Sequence, residues 1–260
     1  MRSTLLAELE KEVMVQDCLP EPGSVSWVID GMAIIQMISS LGVFIFDQLS
    51  ETILQLVLKP FKNDKCFRVD VFYRYDFPNA VKVFEHAKQQ TVDAIEMCIL
   101  GASTQLPKDW KRFLGSSKNK AVLTSFFCNA SCSLAPKALE PNQVLILAGG
   151  FSDGKVVKAI KRTGFTCLNH LFSTQEEADM RILLHAEDAS HSTSSIVVWS
   201  PDTDVAVFCI HYVRDFNVYV SLWFRTSVKD KGRFIPIHDV AQAWNRNVSV
   251  ASWSSCFDWM

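Results

Sequence analysis

The apolar positions of this chain fall into short runs that are typical of buried strands. Val25–Ile29, Phe67–Tyr73, Val144–Ala148 and Ser195–Trp199 are rich in β-branched and other apolar residues, and residues of this kind favour strands. Segments with helical periodicity separate these runs: Met32–Ile38, Asp47–Leu58, Pro78–Gln90, Ala121–Phe127 and Lys155–Arg162. Strands that alternate with helices predict an α/β fold with a mostly parallel central sheet.

The last third of the chain contains a further helix start and a hairpin. Ser173–Glu176 has the Ser-x-x-Glu spacing of a capping box, which predicts a helix directly after it. Val205–Val213 is apolar and fits either a strand or a helix, while Asn217–Phe224 and Arg233–Ile237 read as a hairpin. The sequence contains no internal repeat and no linker, so we expect a single domain.

Composition and charge narrow the class of protein. The chain has 260 residues, of which 48% are hydrophobic and 21% are charged. These values are those of an ordinary globular domain, and they exclude disordered, collagen-like and coiled-coil chains. The formal net charge of −2 argues against binding nucleic acid by overall charge, because such proteins are usually basic. A nucleic-acid site would need a local basic patch or metal ions.

The sequence predicts neither a membrane protein nor a secreted one. The most apolar stretch, Met32–Leu58, contains polar and charged residues throughout, whereas a membrane span needs about 20 mainly apolar residues. Met1–Asp17 alternates leucine with charged residues and does not resemble a signal peptide. We therefore expect a nuclear or cytoplasmic protein with reduced cysteines. Cys128 and Cys132 form the one close pair, which makes a structural zinc site a weak alternative.

Acidic residues recur where predicted strands end. Asp30 follows the first strand, and Asp202 and Asp204 follow the Ser195–Trp199 strand. Ligands of open α/β sheets bind beyond the carboxyl ends of the strands. Glu177 and Asp179 lie in the first turns of the helix that leads into that strand. Converging carboxylates suit Mg²⁺ or Mn²⁺, although acids also favour first helical turns and loops for local reasons.

Two basic segments are candidates for holding a phosphate backbone. The first surrounds Trp110 and Phe113 and consists of Lys108, Lys111, Arg112, Lys118 and Lys120. The second consists of Lys155, Lys158, Lys161 and Arg162. Basic residues interleaved with aromatic residues suit single strands and strand junctions. The alternative is an ordinary solvated surface, which is the more common meaning of such runs.

One motif points to a different class of enzyme. Gly150–Gly154 fits the Gly-x-Ser-x-Gly pattern and follows a predicted strand, and the predicted helix at 155–162 comes next. This is the context of a nucleophilic serine, here Ser152, and Asp204 and His238 follow in the order of an α/β-hydrolase triad. A serine esterase is therefore a remote alternative. No oxyanion-type loop precedes the motif, and a plain surface turn uses the same residues.

Several blocks of sequence, taken in order, resemble a known family. They are Val28–Ala33, Phe72–Tyr75, Trp110–Leu114, Ser173–Ala186 and Asp202–Val205. They resemble a large and mostly uncharacterised animal family associated with mobile elements. The pattern of that family is similar to the PIN-like fold of flap endonucleases and XPG-type nucleases. The resemblance implies a PIN-like three-layer domain at 25–244, preceded by an N-terminal extension at 1–24 and followed by a divergent tail at 245–260.

The resemblance also implies a function and a set of metal ligands. The implied activity is Mg²⁺- or Mn²⁺-dependent hydrolysis of phosphodiesters in branched or single-stranded DNA or RNA. The implied catalytic and metal-binding residues are Asp30, Glu177, Asp179, Asp202 and Asp204.

Two departures from the family pattern bear on activity. The family usually reads Phe-Asp-Arg-Tyr where this chain has Phe72–Tyr75, so Tyr73 replaces a metal-ligand aspartate. The Gly-Cys-Asp loop that supplies a late acid in the family is also missing from the tail at 245–260. The expectation is therefore a weakly active nuclease. The alternative is an inactive module of the same fold that binds nucleic acid or another protein.

Overall fold

The computed structural model of the chain describes residues 11, 13–19, 23–36, 38, 44–73, 101, 103–172, 178–216, 219–228 and 231–247, without the side chains of 178–179, 227–228, 231 and 244–247. The following strands are present in this part of the chain: β1 Val25–Asp30, β2 Cys66–Phe72, β3 Val144–Ala148, β4 Val157–Lys161, β5 Gly164–Cys167, β6 Ser195–Trp199, β7 Ser221–Val228 and β8 Lys231–Pro236. Its α-helices are α1 Gly31–Gln36, α2 Phe46–Val57, α3 Trp110–Leu114, α4 Ser117–Ala138, α5 Ala178–Ser190, α6 Thr203–Tyr212 and α7 Ile237–Asn247. Short 3₁₀ turns lie at Lys59–Lys62, Asn169–Leu171 and Val213–Asp215.

The strands form a mixed eight-stranded sheet in the order β5-β4-β3-β2-β1-β6-β7-β8. Five central strands, β3, β2, β1, β6 and β7, are parallel. Antiparallel strands flank them, with β4 and β5 at one side and β8 at the other. Gln16, in the segment before β1, forms an isolated antiparallel bridge with Phe234 of β8. The predicted α/β class with a mostly parallel sheet is confirmed.

Both faces of the sheet are covered, which gives a three-layer, Rossmann-like arrangement. Successive residues of β3 point to opposite faces, so that Leu145 and Leu147 pack in one core and Ile146 and Ala148 in the other. Helices α1 to α4 cover the first face, and α5 to α7 cover the second. Central parallel strands are apolar on both sides because helices bury both faces. This explains why the strands appear in the sequence as continuous apolar runs.

The order of strands reverses between β1 and β6. From β1 the chain proceeds to β2 and β3 on one side, and it later returns to place β6 and β7 on the other. We call the border of the sheet where the parallel strands end the carboxyl edge, and the opposite border the amino edge. In open α/β sheets, the crevice at such a reversal, beyond the strand ends, is the usual place for a ligand.

One predicted element differs from the structure, and one segment that was left open is assigned by it. The helix expected at 155–162 is wrong, because Val157–Lys161 is strand β4 and forms a hairpin with β5. Pairing between β4 and β3 buries Val157 and Ile160 on opposite sides of the sheet. This burial favours a strand more than the spacing of the lysines favours a helix. The segment at 205–213, left open between strand and helix, belongs to helix α6 as far as Tyr212, and Val213 begins a 3₁₀ turn. The helix expected at 78–90 and the capping box at 173–176 lie outside the described residues.

Candidate functional site

Asp30 is the last residue of β1 and directly precedes α1. Its Oδ1 accepts hydrogen bonds from the backbone N–H groups of Met32 at 3.0 Å and Ala33 at 3.4 Å. This is the usual geometry of an aspartate at a helix N-terminus. The side chain is almost buried, with 5% of its surface exposed. The carboxylate is therefore held rigidly at the carboxyl edge.

Ser200 links the end of β6 to Asp30. Its hydroxyl donates to Oδ2 of Asp30 at 3.3 Å, and its oxygen accepts from the backbone N–H of Asp202 at 3.1 Å. The serine is completely buried. It joins the ends of two neighbouring strands, because Ile29 pairs with Trp199 in the register of β1 and β6. Ser200 was not among the residues singled out from the sequence, since a single serine after a strand carries no distinctive signal.

Asp202 and Asp204 open helix α6 directly after β6. Oδ1 of Asp202 accepts from the backbone N–H of Asp204 at 3.1 Å, so Asp202 caps the helix. Both side chains are half-buried. Asp30, Asp202 and Asp204 lie at the same edge of the sheet, because β1 pairs in parallel with β6 and Ser200 is hydrogen-bonded to both Asp30 and Asp202. Their role as metal ligands stays a prediction.

The other two predicted ligands are described only in part. Glu177 lies outside the described residues, and for Asp179 the structure gives the backbone, the second residue of α5, without the side chain. Arg181, two residues later, donates to the carbonyl of Gly154 at 3.3 Å and lies 5.3 Å from the ring of Phe72. Gly154 follows β3 and Phe72 ends β2, so the first turn of α5 is at the carboxyl edge as well.

Among the side chains that the structure describes, no three His, Cys, Asp or Glu residues are grouped closely enough to hold a metal ion. Two of the predicted ligands, Glu177 and Asp179, have side chains that the structure does not describe. The predicted metal centre therefore stays a prediction. In the same part of the chain, the Cys128 thiol is buried and donates to the carbonyl of Gly149 at 3.3 Å. Burial raises the pKa of this thiol, which disfavours the thiolate that zinc would require.

Tyr73 lies beside this edge. It follows β2, and its backbone N–H donates to the carbonyl of Ala148 at 3.0 Å. Its ring packs against Gly31, where an added Cβ would come within 2.5 Å of the tyrosine. Burial raises the pKa of the phenol, so Tyr73 is a neutral side chain at neutral pH. With Met32 and Lys120 it lines a small pocket of about 190 Å³ at the carboxyl ends of β1, β2 and β3.

The first basic segment lies next to that pocket. Trp110 of α3 donates from Nε1 to the carbonyl of Ile35 in α1 at 3.1 Å, which fastens α3 to the helix that follows Asp30. Lys108, Lys111, Arg112 and Lys118 are exposed and Lys120 is half-buried. The aromatic part of the prediction is wrong, because Trp110 and Phe113 stack on each other in the core and cannot stack on bases.

The second basic segment is part of the β4–β5 hairpin. Lys155, Lys161 and Arg162 are exposed. Lys158 instead lies over two aromatic rings, with Nζ 4.3 Å from the ring centre of Phe151 and 4.5 Å from that of Phe165. This lysine contributes to packing on the hairpin and does not form a continuous basic face with the others.

The serine motif does not have the context of a hydrolase. Ser152 is exposed, and strand β4 follows it instead of a helix. The neighbouring Asp153 accepts from the backbone N–H of Lys155 at 2.9 Å, which is the geometry of a surface turn. His238 begins α7 at the amino edge and contacts the carbonyl of Leu222 through Nδ1 at 3.0 Å. Ser152 and His238 therefore lie at opposite edges, and the proposed triad is not formed.

Comparisons with known proteins add no identification: no family model, no curated protein and no solved structure matches this chain. Within the described ranges, no helix has both the length and the apolar character needed to cross a membrane.

Proposed function

We propose that this chain is a nuclease-like domain of PIN-like fold that hydrolyses phosphodiesters in DNA or RNA with low, metal-dependent activity. One observation carries the proposal. Asp30, Asp202 and Asp204 are held at the carboxyl ends of adjacent strands β1 and β6, where the strand order reverses. This is the position at which open α/β sheets place their ligands. Glu177 and Asp179, near the start of α5, complete the proposed acidic set.

The donor set suits a hard cation. Carboxylate oxygens on Asp30, Asp202 and Asp204 are the ligands that Mg²⁺ and Mn²⁺ prefer, and such ions, when bound, activate water and stabilise the leaving oxygen of a phosphodiester. The chain itself supplies orientation. Ser200 and the N–H groups of α1 hold the Asp30 carboxylate in place, which limits the reorganisation needed on binding.

The basic segment on α3 and α4 supplies the contact with nucleic acid. Lys120 lines the pocket that also contains Met32, two residues after Asp30. Lysine and arginine contacts to phosphates dominate the affinity of proteins for nucleic acids. In this proposal Lys108, Lys111, Arg112, Lys118 and Lys120 hold the phosphate backbone and lead it to the acidic residues.

A second candidate function is binding without cleavage, and Tyr73 favours it. A buried, neutral phenol occupies the end of β2 where the resembling family has an aspartate. Loss of one ligand or of its supporting residue typically lowers metal affinity or activity about 10–100-fold. The same fold would then act as a module that binds nucleic acid or another protein.

The test is Mn²⁺ calorimetry together with cleavage assays on flap-shaped DNA and on single-stranded DNA and RNA. We expect the native chain to bind Mn²⁺ and to cleave slowly, and Asp204→Asn to lose both properties. Asp239→Asn is the matched control, because Asp239 also lies in a first helical turn but at the amino edge, on α7. Binding of Mn²⁺ without cleavage would support the second function. Absence of Mn²⁺ binding by the native chain would refute the metal-dependent activity.

A pair of variants at Tyr73 tests whether position 73 belongs to the proposed metal site. Tyr73→Asp restores an acid at the end of β2, and Tyr73→Asn changes size in the same way without the charge. We expect the aspartate variant to bind Mn²⁺ about 10–100-fold more tightly than the asparagine variant. Equal Mn²⁺ affinities of two folded variants would remove position 73 from the site.

A further inference from the structure

A cleft of about 390 Å³ lies at the amino edge of the sheet, opposite the acidic residues. The starts of β1, β2 and β3, the end of β4 and the last turns of α5 surround it. Its volume is within the range of small-molecule sites. The floor is apolar and includes Val144, Ile146, Ala159 and Leu168. Charged and hydroxyl-bearing side chains surround this floor, so the cleft combines an apolar surface with polar groups.

Arg68 is a cation of the cleft that two carboxylates hold in place. Asp70, with no exposed surface, accepts from Nε at 2.7 Å and from Nη2 at 2.8 Å. Asp188 accepts from Nη1 at 2.7 Å. A guanidinium has five N–H donors, so two of them are not engaged by any described residue. The guanidinium is thus fixed by the buried Asp70 and the half-buried Asp188, and it still has donors for a ligand.

Both carboxylates near Arg68 are engaged by side chains of the fold. Oδ2 of Asp188 is bound by Arg68 and Oδ1 by the imidazole of His170 at 2.9 Å. Asp70 is bound by Arg68 and by Nδ1 of His185 at 2.7 Å. Lys161, at the end of β4, also lines the cleft and forms no ion pair with a described carboxylate. The polar side of the cleft therefore offers donors to an anion.

We propose that the amino-edge cleft binds a phosphate monoester with a compact apolar body. The phosphate binds between Arg68 and Lys161, and the hydroxyl groups of Thr166 and Ser192 line the same cleft. The apolar body lies on the floor formed by β3 and β4. Arginine and lysine both recognise phosphate oxygens, arginine through its fixed donor geometry and lysine as a point charge. The site is independent of the proposed function, because it lies at the other end of the strands.

The first experiment titrates the ¹⁵N-labelled full chain with three probes and follows amide resonances. Phenyl phosphate carries both parts of the ligand, inorganic phosphate carries the anion alone, and phenol carries the apolar body alone. We expect phenyl phosphate to bind about tenfold more tightly than inorganic phosphate, because a ring buried on the floor adds apolar contact. The shifts should centre on Thr166 and Ser192. Shifts centred on Asp202 and Asp204, or no shifts with phenyl phosphate, would overturn the proposal.

Two pairs of variants test the position of the ligand. Lys161→Gln should weaken phenyl phosphate binding about tenfold, whereas Arg162→Gln, which removes the same charge from the next residue outside the cleft, should leave it unchanged. Thr166→Glu places a carboxylate in the cleft and should abolish binding, while Thr163→Glu in the hairpin turn should not. All four positions are exposed, so the fold is retained. Equal effects within either pair would contradict the proposal.

Discussion

At the scale of single residues, the most constrained group is the Asp70 carboxylate. Burial alone would raise its pKa, but the charge of Arg68 and the hydrogen bonds from Arg68 and His185 hold the pKa of Asp70 below its ordinary value. Burial likewise disfavours the charged form of Arg68, and the neighbouring Asp70 outweighs this and raises the pKa of the guanidinium. The pair is therefore ionised in the folded chain.

Removing the Asp70 carboxylate should destabilise the fold. Asp70→Asn leaves the Arg68 charge without its bidentate partner, and breaking a buried pair in this way typically costs about 3–5 kcal/mol. We expect a loss of this order in the free energy of unfolding, measured by urea denaturation at neutral pH. Asp64→Asn, in the exposed turn before β2, is the control and should change stability little.

The same carboxylate predicts a pH dependence. Because the folded-state pKa of Asp70 is lowered, its contribution to stability is complete above its ordinary pKa of 3.8 and is lost as pH falls through the folded-state value. Below pH 4 the native chain should therefore lose stability more steeply than Asp70→Asn in urea denaturation. Parallel pH profiles for the two proteins would show that Asp70 does not carry this dependence.

At the scale of elements, the turn that follows β3 packs closely against α4. Gly149 and Gly150 have φ angles of 74° and 71°, in the left-handed region that favours glycine. A Cβ at Gly150 would lie 2.6 Å from Sγ of Cys128 and 2.9 Å from the carbonyl oxygen of Thr124. The turn that directs the chain towards Ser152 thus requires both the backbone freedom and the small size of glycine.

Gly150→Ala should combine two unfavourable effects. The left-handed backbone costs about 1–3 kcal/mol for a residue with a side chain, and the collision with Cys128 and Thr124 adds about 1–3 kcal/mol of overpacking. Gly164→Ala is a matched control, because Gly164 has a φ of 128° and open space around its Cα, so it reports backbone strain alone. Similar losses of thermal stability in the two variants would show that α4 moves aside without cost.

Some elements could be predicted from local sequence and others could not. The runs at β3 and β6 predicted those strands to the residue, because central strands are apolar on both faces. Helix α4 extends over Ser117–Ala138, far beyond the predicted 121–127. It is rich in serine and cysteine and contains Pro136, so propensity indicates a weak helix. Packing of α4 against α2, α3 and β4 stabilises it instead.

At the scale of the whole molecule, the sheet separates Ser152 and His238, which follow one another in the sequence in the order of a hydrolase triad. Ser152 follows β3 at the carboxyl edge, whereas His238 follows β8 and contacts the start of β7 at the amino edge. Four strand spacings of about 4.8 Å, roughly 19 Å in all, separate β3 from β7. A triad needs contacts of about 3 Å between its members.

Ser152 should therefore not react as a nucleophile. A fluorophosphonate probe, which labels activated serines, should leave the native chain unmodified, as measured by intact-protein mass spectrometry. Ser152→Ala serves as the reference for background labelling. Stoichiometric labelling that disappears in Ser152→Ala would show that another base activates this serine, and it would restore the esterase interpretation.

The sequence alone determined the α/β class and the edge at which the acids gather, because apolar runs mark buried strands and the carboxyl ends of parallel strands share one border. Asp30 and Asp202 could be placed there from their positions after two such runs. Only the tertiary structure decided the partners of these residues. Ser200 joins Asp30 to Asp202 across two strands whose paired residues are 170 positions apart in the sequence, since Ile29 pairs with Trp199 and Ser200 donates to Asp30. The tertiary structure also paired Asp70 with His185 on α5 and turned Val157–Lys161 into a strand. Each of these outcomes depends on contacts between distant segments, which local patterns of residues do not specify.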